Sequence, residues 1–216
     1  MNQTHHAPPP LSDRFYRREK HTVARDLLGR HLVRRLDDQM LVGRIVEVEV
    51  YGGPHDPASH GNSGEPTDRT RAMFGPAGTA YVYQIYGMYH CLNVVVPAEQ
   101  KAAAVLIRAL EPVEGLETMA TGRGLTDKYD GEMTRSVRKN LLSGRGKICQ
   151  ALERDGRHDG IELDGQPLWI AEGRPVAEDG AAIETTERIG LNPDTVGEAV
   201  DWPWRYTLAD SDYLSR

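Results

Sequence analysis

The residue pattern predicts an α+β domain built on an antiparallel sheet, and three observations carry that prediction. A strict two-residue alternation runs through RIVEVEVYGG, Arg44 to Gly53. Two later segments, Thr79 to Val96 and Ala102 to Pro112, are dense in aromatic and β-branched residues, with Gly87 punctuating the first as a hairpin tip would. Helical spacings flank these strands without the regular strand–helix–strand alternation of a parallel sheet.

In chain order, the first dozen residues hold Pro8, Pro9 and Pro10 in a row and no apolar periodicity, so residues 1–12 read as a mobile tail and 13–216 as a single domain. From Thr22, the residues Val23, Leu27 and Leu28 recur at helical spacing; Thr22 can cap this short helix and Gly29 can end it. In the strand that follows, Val46, Val48 and Val50 point to one face while Glu47, Glu49 and Tyr51 point to the other. One face is apolar and the other acidic. Pro54 to Pro76, rich in Gly, Pro, Ser, Asp and Asn, reads as a long loop without its own core, and loops of that length are often functional. The two aromatic segments then supply at least three more strands. EGLETM from Glu114 is helix-like, and SGRGKICQALERDG from Ser143 predicts a helix with Ile148 and Leu152 buried, Gly156 as its stop and an N-terminus open to an anion.

At 216 residues, 39% hydrophobic and 27% charged, the chain has the composition of a globular protein with one sizeable core. No apolar run approaches the ~20 residues that cross a bilayer. The start, MNQTHHAPPPLSD, lacks the basic and apolar regions of a secretory signal, so the expectation is a cytoplasmic protein. Cys91 and Cys149 lie in no CxxC pair, which argues against a disulfide scaffold or a Cys-rich zinc site. The net charge of −6 is unevenly spread. Residues 1–35 carry eight Lys/Arg against three Asp/Glu, net +5, and 120–150 carry seven against three, net +4, whereas 151–201 carry four against thirteen, net −9. A basic face on an acidic molecule is compatible with a polyanion partner, and ordinary solvated charge accounts for it equally well.

The usual nucleotide-binding fingerprints are missing: no GxGxxG occurs, and Gly146-Lys147 has no glycine five residues earlier to build a P-loop. Neither HExxH nor GxSxG is present, and His55 and His60, with only Asp56 close by, make a poor metal set. What remains is two carboxylates and a tyrosine on one strand face, a loop histidine, and tyrosines at 81, 83, 86 and 89. Each feature alone has an ordinary explanation, an exposed strand face or aromatic packing. Together they describe a flat aromatic slot with a carboxylate at its end, the equipment for stacking a splayed base and positioning water against it.

Three stretches, RIVEVEVYGGPHDPASH, RTRAMFGPAGTAYVYQIYGMYHCLNVV and VLIRALEPVEGLETM, closely resemble the alkyladenine (N-methylpurine) DNA glycosylases. The likeness spans roughly Leu27 to Ile170 and continues weakly through ERIGL at Glu187 and WPWRYTL at Trp202. It implies a curved antiparallel sheet with a protruding hairpin and surrounding helices. It also implies a monofunctional enzyme, monomeric on double-stranded DNA, that hydrolyses the N-glycosidic bond of damaged purines with no metal or organic cofactor. Residue by residue, Glu49 resembles the general base and Glu47 a structural carboxylate. Tyr51 resembles the residue that stacks on the flipped base, and His60 and Tyr83 resemble the opposite wall. Tyr86 resembles the wedge that fills the gap in the duplex, with Met88 beside it; Asn93 resembles the residue that crowds the purine 2-position, and Arg108 an arginine near the catalytic water. His90 departs from the pattern, standing where an aromatic or apolar residue is familiar. Phosphate contacts then fall to Arg69, Arg71, Arg138, Arg145 and Lys147, with Arg135 and Lys139 beside them. Two rival readings are a non-catalytic nucleic-acid binding module, which would use the basic patch alone, and a glycosidase of free nucleosides, which would have no use for Tyr86.

Overall fold

A computed structural model describes residues 8–53, 55–97, 102–128, 131–153, 155–173, 176 and 180–215. The first elements are two helices, α1 (Asp13–Tyr16) and α2 (Lys20–Leu27), then the strands β1 (His31–Leu36) and β2 (Gln39–Gly52). A hairpin of β3 (Ala80–Ile85) and β4 (Tyr89–Val96) leads to β5 (Ala103–Glu114), followed by the helices α3 (Leu116–Gly122), α4 (Arg135–Leu142) and α5 (Arg145–Ala151). Four short strands complete the chain: β6 (Asp164–Gly165), β7 (Leu168–Ala171), β8 (Ile183–Thr186) and β9 (Arg205–Leu208). All pairings among the described residues are antiparallel, in the order β3-β4-β5-β2-β1-β7-β6, with β9 joining β2 and β8 joining β9. The α+β class and the antiparallel sheet are those read from the sequence.

Strand β2 organises the molecule. One edge pairs with β5 along most of its length, while the other is divided: Gln39 to Arg44 pair with β1, and Glu47 to Glu49 pair with β9. Register shifts against β5 fall beside Glu47, leaving Arg108 as the extra residue on β5 between Ile107 and Ala109. A bulge of this kind re-aims a side chain and tightens the local twist. Val46, Val48 and Val50 are buried in the main core with Leu27, Met119, Leu141, Leu142, Ile148 and Leu152. Each such aliphatic side chain contributes roughly 1.5–3 kcal/mol when fully buried, so the apolar face predicted for β2 is what the helices pack against. At its end Gly52 takes φ +121, and a Cβ there would stand 2.5 Å from the Ala102 carbonyl oxygen, so only glycine lets β2 run this close to β5 before the chain leaves the sheet.

Several boundaries differ from expectation. Of the expected tail, residues 1–7 lie outside the described residues; Leu11, by contrast, is buried and its N–H donates to Ile170 O, while Pro8 O accepts from Trp169 Nε1. Helix α2 starts three residues early, at Lys20, because Glu19 rather than Thr22 is the cap and accepts from Thr22 N. Helix α5 stops at Ala151 instead of near Gly156. The long loop does have apolar packing: Met73 is buried with Tyr81, Val95, Ala102 and Ala104. Helix α4, capped by the Thr134 hydroxyl, falls where the sequence shows only a basic run; its buried Leu141 and Leu142 are adjacent, which hides the helical period.

Candidate active site

The antiparallel register builds the site on one face of the sheet. Tyr83 pairs with Cys91, Tyr81 with Asn93, Asn93 with Leu106, Leu106 with Glu49, and Ala104 with Tyr51. Directly paired residues point to the same side of a sheet, so a row from the hairpin to β2 faces one space. That space is a cavity of about 200 Å³ bounded by Tyr51, Ala58, His60, Arg69, Met73, Tyr81, Tyr83, Ile85, Asn93, Ala104, Arg145 and Leu191. At ~30 Å³ per water its volume is that of several waters, the scale of one heterocycle.

Both glutamates of the acidic face are completely buried. Glu49 Oε2 accepts from the Tyr51 hydroxyl at 2.8 Å and from Arg108 Nη1 at 3.0 Å, and Oε1 accepts from the Ile189 N–H at 2.8 Å. Every neighbour donates, the pattern an ionised carboxylate satisfies. Burial, then the Glu49 carboxylate, push the Tyr51 phenol far above its ordinary value, which keeps it a donor. Glu47 accepts from Arg108 Nε at 3.0 Å, Arg205 Nε at 2.8 Å, Ser215 N at 2.6 Å and Ser215 Oγ at 2.8 Å. Arg108 therefore bridges the two carboxylates, and the bulge on β5 is what turns it between them.

The aromatic walls are held just as firmly. The Tyr51 ring is backed by the Arg188 guanidinium 4.8 Å from its centroid, and Arg188 forms a buried two-pronged pair with Asp56 at 2.8 and 3.0 Å while also facing Trp204. Opposite, His60 meets the edge of Tyr83 with centroids 4.6 Å apart, and its Nδ1 lies 2.9 Å from the Tyr81 hydroxyl. Burial, then the Arg69 charge, lower the His60 pKa from its ordinary value, so its ring presents a neutral surface at neutral pH. Asn93 spends its amide on the Tyr81 carbonyl at 2.9 Å, which fixes the side chain against the cavity floor.

The expected wedge stands clear of this site. Tyr86 is 79% exposed and Met88 65% exposed at the hairpin tip, where Tyr86 at φ 52 and Gly87 at φ 69 both take left-handed backbone. Such a turn suits the hairpin twist, but a tyrosine in it costs strain that a glycine would not. A wider groove of about 770 Å³ runs from Tyr86 and Tyr89 past Lys139, Ser143, Arg145 and Lys147 to Arg108 and Ile189.

The residues expected to hold phosphates do not form one patch. Arg145 and Lys147 line the groove, Lys147 donating to Asn140 Oδ1 at 2.5 Å. Arg69 lies over the Tyr83 ring at 5.5 Å and borders the cavity instead. Arg71 pairs with Asp68 at 3.0 Å, Arg135 and Lys139 with Asp212, and Arg138 turns inward to the Pro112 carbonyl. His55 is exposed in the loop, and among the described residues no three His, Cys, Asp or Glu side chains gather as metal ligands do. The sequence reasoning missed Ile189, Arg205 and Ser215, which hold the carboxylates, and Asp56 and Arg188, which hold Tyr51. The signals for them were the weakly matching ERIGL, which holds Arg188 and Ile189, and WPWRYTL, which holds Arg205, while Asp56 lies within the first matching stretch.

Over residues 14–212 the sequence matches the methylpurine-DNA glycosylase family. The chain belongs to that family. A protein of Alkaliphilus oremlandii named "Putative 3-methyladenine DNA glycosylase" is 46% identical over 207 residues, covering 95% of this chain and 98% of that protein. Relatives of the same name in Desulfitobacterium hafniense and Clostridium perfringens are 42% and 39% identical, over 95% and 94% of this chain and 98% and 97% of their own. Membership in the methylpurine-DNA glycosylases makes DNA the substrate and the N-glycosyl bond of an alkylated purine the bond opened, as part of base excision repair. No helix among the described residues is long and apolar enough to cross a membrane.

Proposed function

We propose that this chain is a monofunctional DNA glycosylase that draws a damaged purine out of the duplex into the Tyr51–Tyr83 cavity and hydrolyses its N-glycosidic bond with Glu49 as general base. The observation that carries this reading is a buried carboxylate held by three donors beside a cavity of base-sized volume. The Ile189 carbonyl, 3.4 Å from Arg108 Nη1, gives a second acceptor near the carboxylate on which a water can be oriented.

The bond from C1′ to the base nitrogen breaks with its electron pair leaving on the base, the water oxygen bonds to C1′, and Glu49 takes the water's proton before passing it to solvent. The products are the free base and an abasic sugar. Arg108 keeps Glu49 aimed, and Glu49 also stabilises the cationic sugar as the base departs. Among the described residues no lysine borders the cavity, which agrees with hydrolysis rather than attack by an amine. Purines alkylated at ring nitrogen 3 or 7 are already cationic and leave readily; hypoxanthine and ethenoadenine are the neutral members of the same substrate class. Tyr86, exposed on the hairpin tip at the head of the groove, fills the space the base vacates. An exposed wedge of this kind favours duplex DNA over free nucleosides.

The test is single-turnover release of base from a duplex bearing one hypoxanthine, ethenoadenine or 7-methylguanine. Wild type releases base and leaves an alkali-labile site, whereas Glu49→Gln binds the duplex and is slower by about 10²–10⁴-fold. Full activity in Glu49→Gln overturns the mechanism, and lesion-blind binding with no release by wild type favours the binding module.

A further inference from the structure

We propose that Arg145 is a specificity-determining residue that separates purines carrying a positive charge from those that do not. The inference rests on the glycosylase reading above and deepens it.

Among the described residues, three side chains that can carry positive charge border the base cavity: His60, Arg69 and Arg145. His60 is kept neutral by its surroundings, and Arg69 donates to the Gln84 carbonyl while lying over the Tyr83 ring. Behind the wall, Arg108 is committed to Glu47 and Glu49, and Arg188 to Asp56. Arg145 differs from all of these. It opens helix α5, is half-buried, and lines both the cavity and the groove. Its Nη2 lies 3.9 Å from where a Cβ on Gly190 would stand, next to the Ile189 that holds Glu49. It makes no hydrogen bond or ion pair with another described residue. Burial alone would lower its pKa, but Cys91, Tyr83, Tyr51 and Glu49 more than offset this, and all four belong to the cavity side. A half-buried guanidinium with its donors unspent is thus held at the mouth of the base site.

A fixed charge there acts on two different quantities. When the bond from C1′ to nitrogen breaks, the electron pair goes to the base: hypoxanthine passes from neutral toward anionic, and 7-methylguanine from cationic to neutral. In both, the base becomes more negative by one charge, so a guanidinium beside it speeds departure in both. Before the bond breaks the two lesions differ. The cationic base is repelled on entry and the neutral one is not, so Arg145 penalises capture of 7-methylguanine alone. A phosphate clamp, the role that its place in the groove would otherwise fit, helps every duplex alike.

The experiment measures single-turnover base release against enzyme concentration for wild type, Arg145→Gln and Arg145→Lys, on duplexes carrying one hypoxanthine or one 7-methylguanine. In Arg145→Gln the saturating rate falls about tenfold on both lesions, while the half-saturating enzyme concentration falls severalfold for 7-methylguanine and stays put for hypoxanthine. Arg145→Lys keeps the charge and the wild-type split. A half-saturating concentration that rises equally for both lesions makes Arg145 a phosphate clamp and overturns the proposal, as does a variant indistinguishable from wild type. Release of neither base by wild type removes the glycosylase reading itself, an outcome distinct from both.

Discussion

Glu47 and Glu49 stand two residues apart on the same face of β2, are equally buried, and share Arg108, yet they occupy two different regions. Around Glu47 the acidic face is closed: Arg205 comes from β9, and Ser215 supplies both its N–H and its hydroxyl. Around Glu49 one of the three donors, Tyr51, itself lines the aromatic cavity, so the carboxylate, although fully buried, sits directly behind the cavity wall. Identical side chains on one strand thus serve as a structural anchor and as a candidate base. The difference lies in what covers them, and the expected structural role of Glu47 agrees with its fully protein-bound carboxylate.

The sharpest way to break this comparison is to alter each carboxylate in turn. Glu49→Gln is expected to lose about 10²–10⁴-fold in single-turnover rate, with a smaller fall in its urea midpoint than Glu47→Ala because the amide oxygen still accepts from part of the donor set. Glu47→Ala reverses the pattern. It leaves Arg108, Arg205 and Ser215 without their buried acceptor and costs about 3–5 kcal/mol of stability, with activity per folded molecule falling less than in Glu49→Gln. If Glu47→Ala proves as stable as wild type, the anchor role is wrong.

Tyr86→Ala probes a largely exposed side chain at the hairpin tip. Its stability should shift by no more than ~0.5 kcal/mol, or rise slightly as the left-handed strain eases. Base release at limiting enzyme drops at least tenfold, because a stacking ring contributes about 1–3 kcal/mol. Undiminished release by Tyr86→Ala would favour the free-nucleoside glycosidase.

The smallest effect concerns pH. His60 is held below its ordinary value of 6.5, so the unfolded chain binds its proton more readily than the folded one. The stability it contributes is therefore fully present above that value and is lost as the pH falls toward the folded value. Urea midpoints measured from about pH 7 to about pH 5 should fall less steeply in His60→Gln than in wild type. Coincident slopes would remove His60 as a source of acid sensitivity.

Much of this molecule can be read from short-range pattern. Alternation along β2 separates valines from carboxylates because successive side chains of a strand point to opposite faces, and that property depends on the backbone alone. The same logic places Tyr83 and Tyr81 on one side and Tyr86 at the turn marked by Gly87. It fails for the four-residue strands β7, β8 and β9, which are too brief to show a period, and for α4, where a basic run masks the apolar residues.

The phosphate assignments show the same limit from another side. Arg69, Arg71 and Arg138 are cationic in any reading, but only the fold gives them Tyr83, Asp68 and the Pro112 carbonyl as neighbours. Arg145 emerges as the unspent charge at the cavity mouth for the complementary reason, that no described residue forms a hydrogen bond or ion pair with it.

The residue order along β2 and the hairpin settled which side chains share a face, because pleat and turn geometry act over two to four residues. Folding of the chain settled whether that acidic face met water or protein. Ile189, Arg205 and Ser215 arrive from more than 130 residues beyond the glutamates they hold, and a carboxylate pair can be buried in the ionised state only when distant donors replace its lost water.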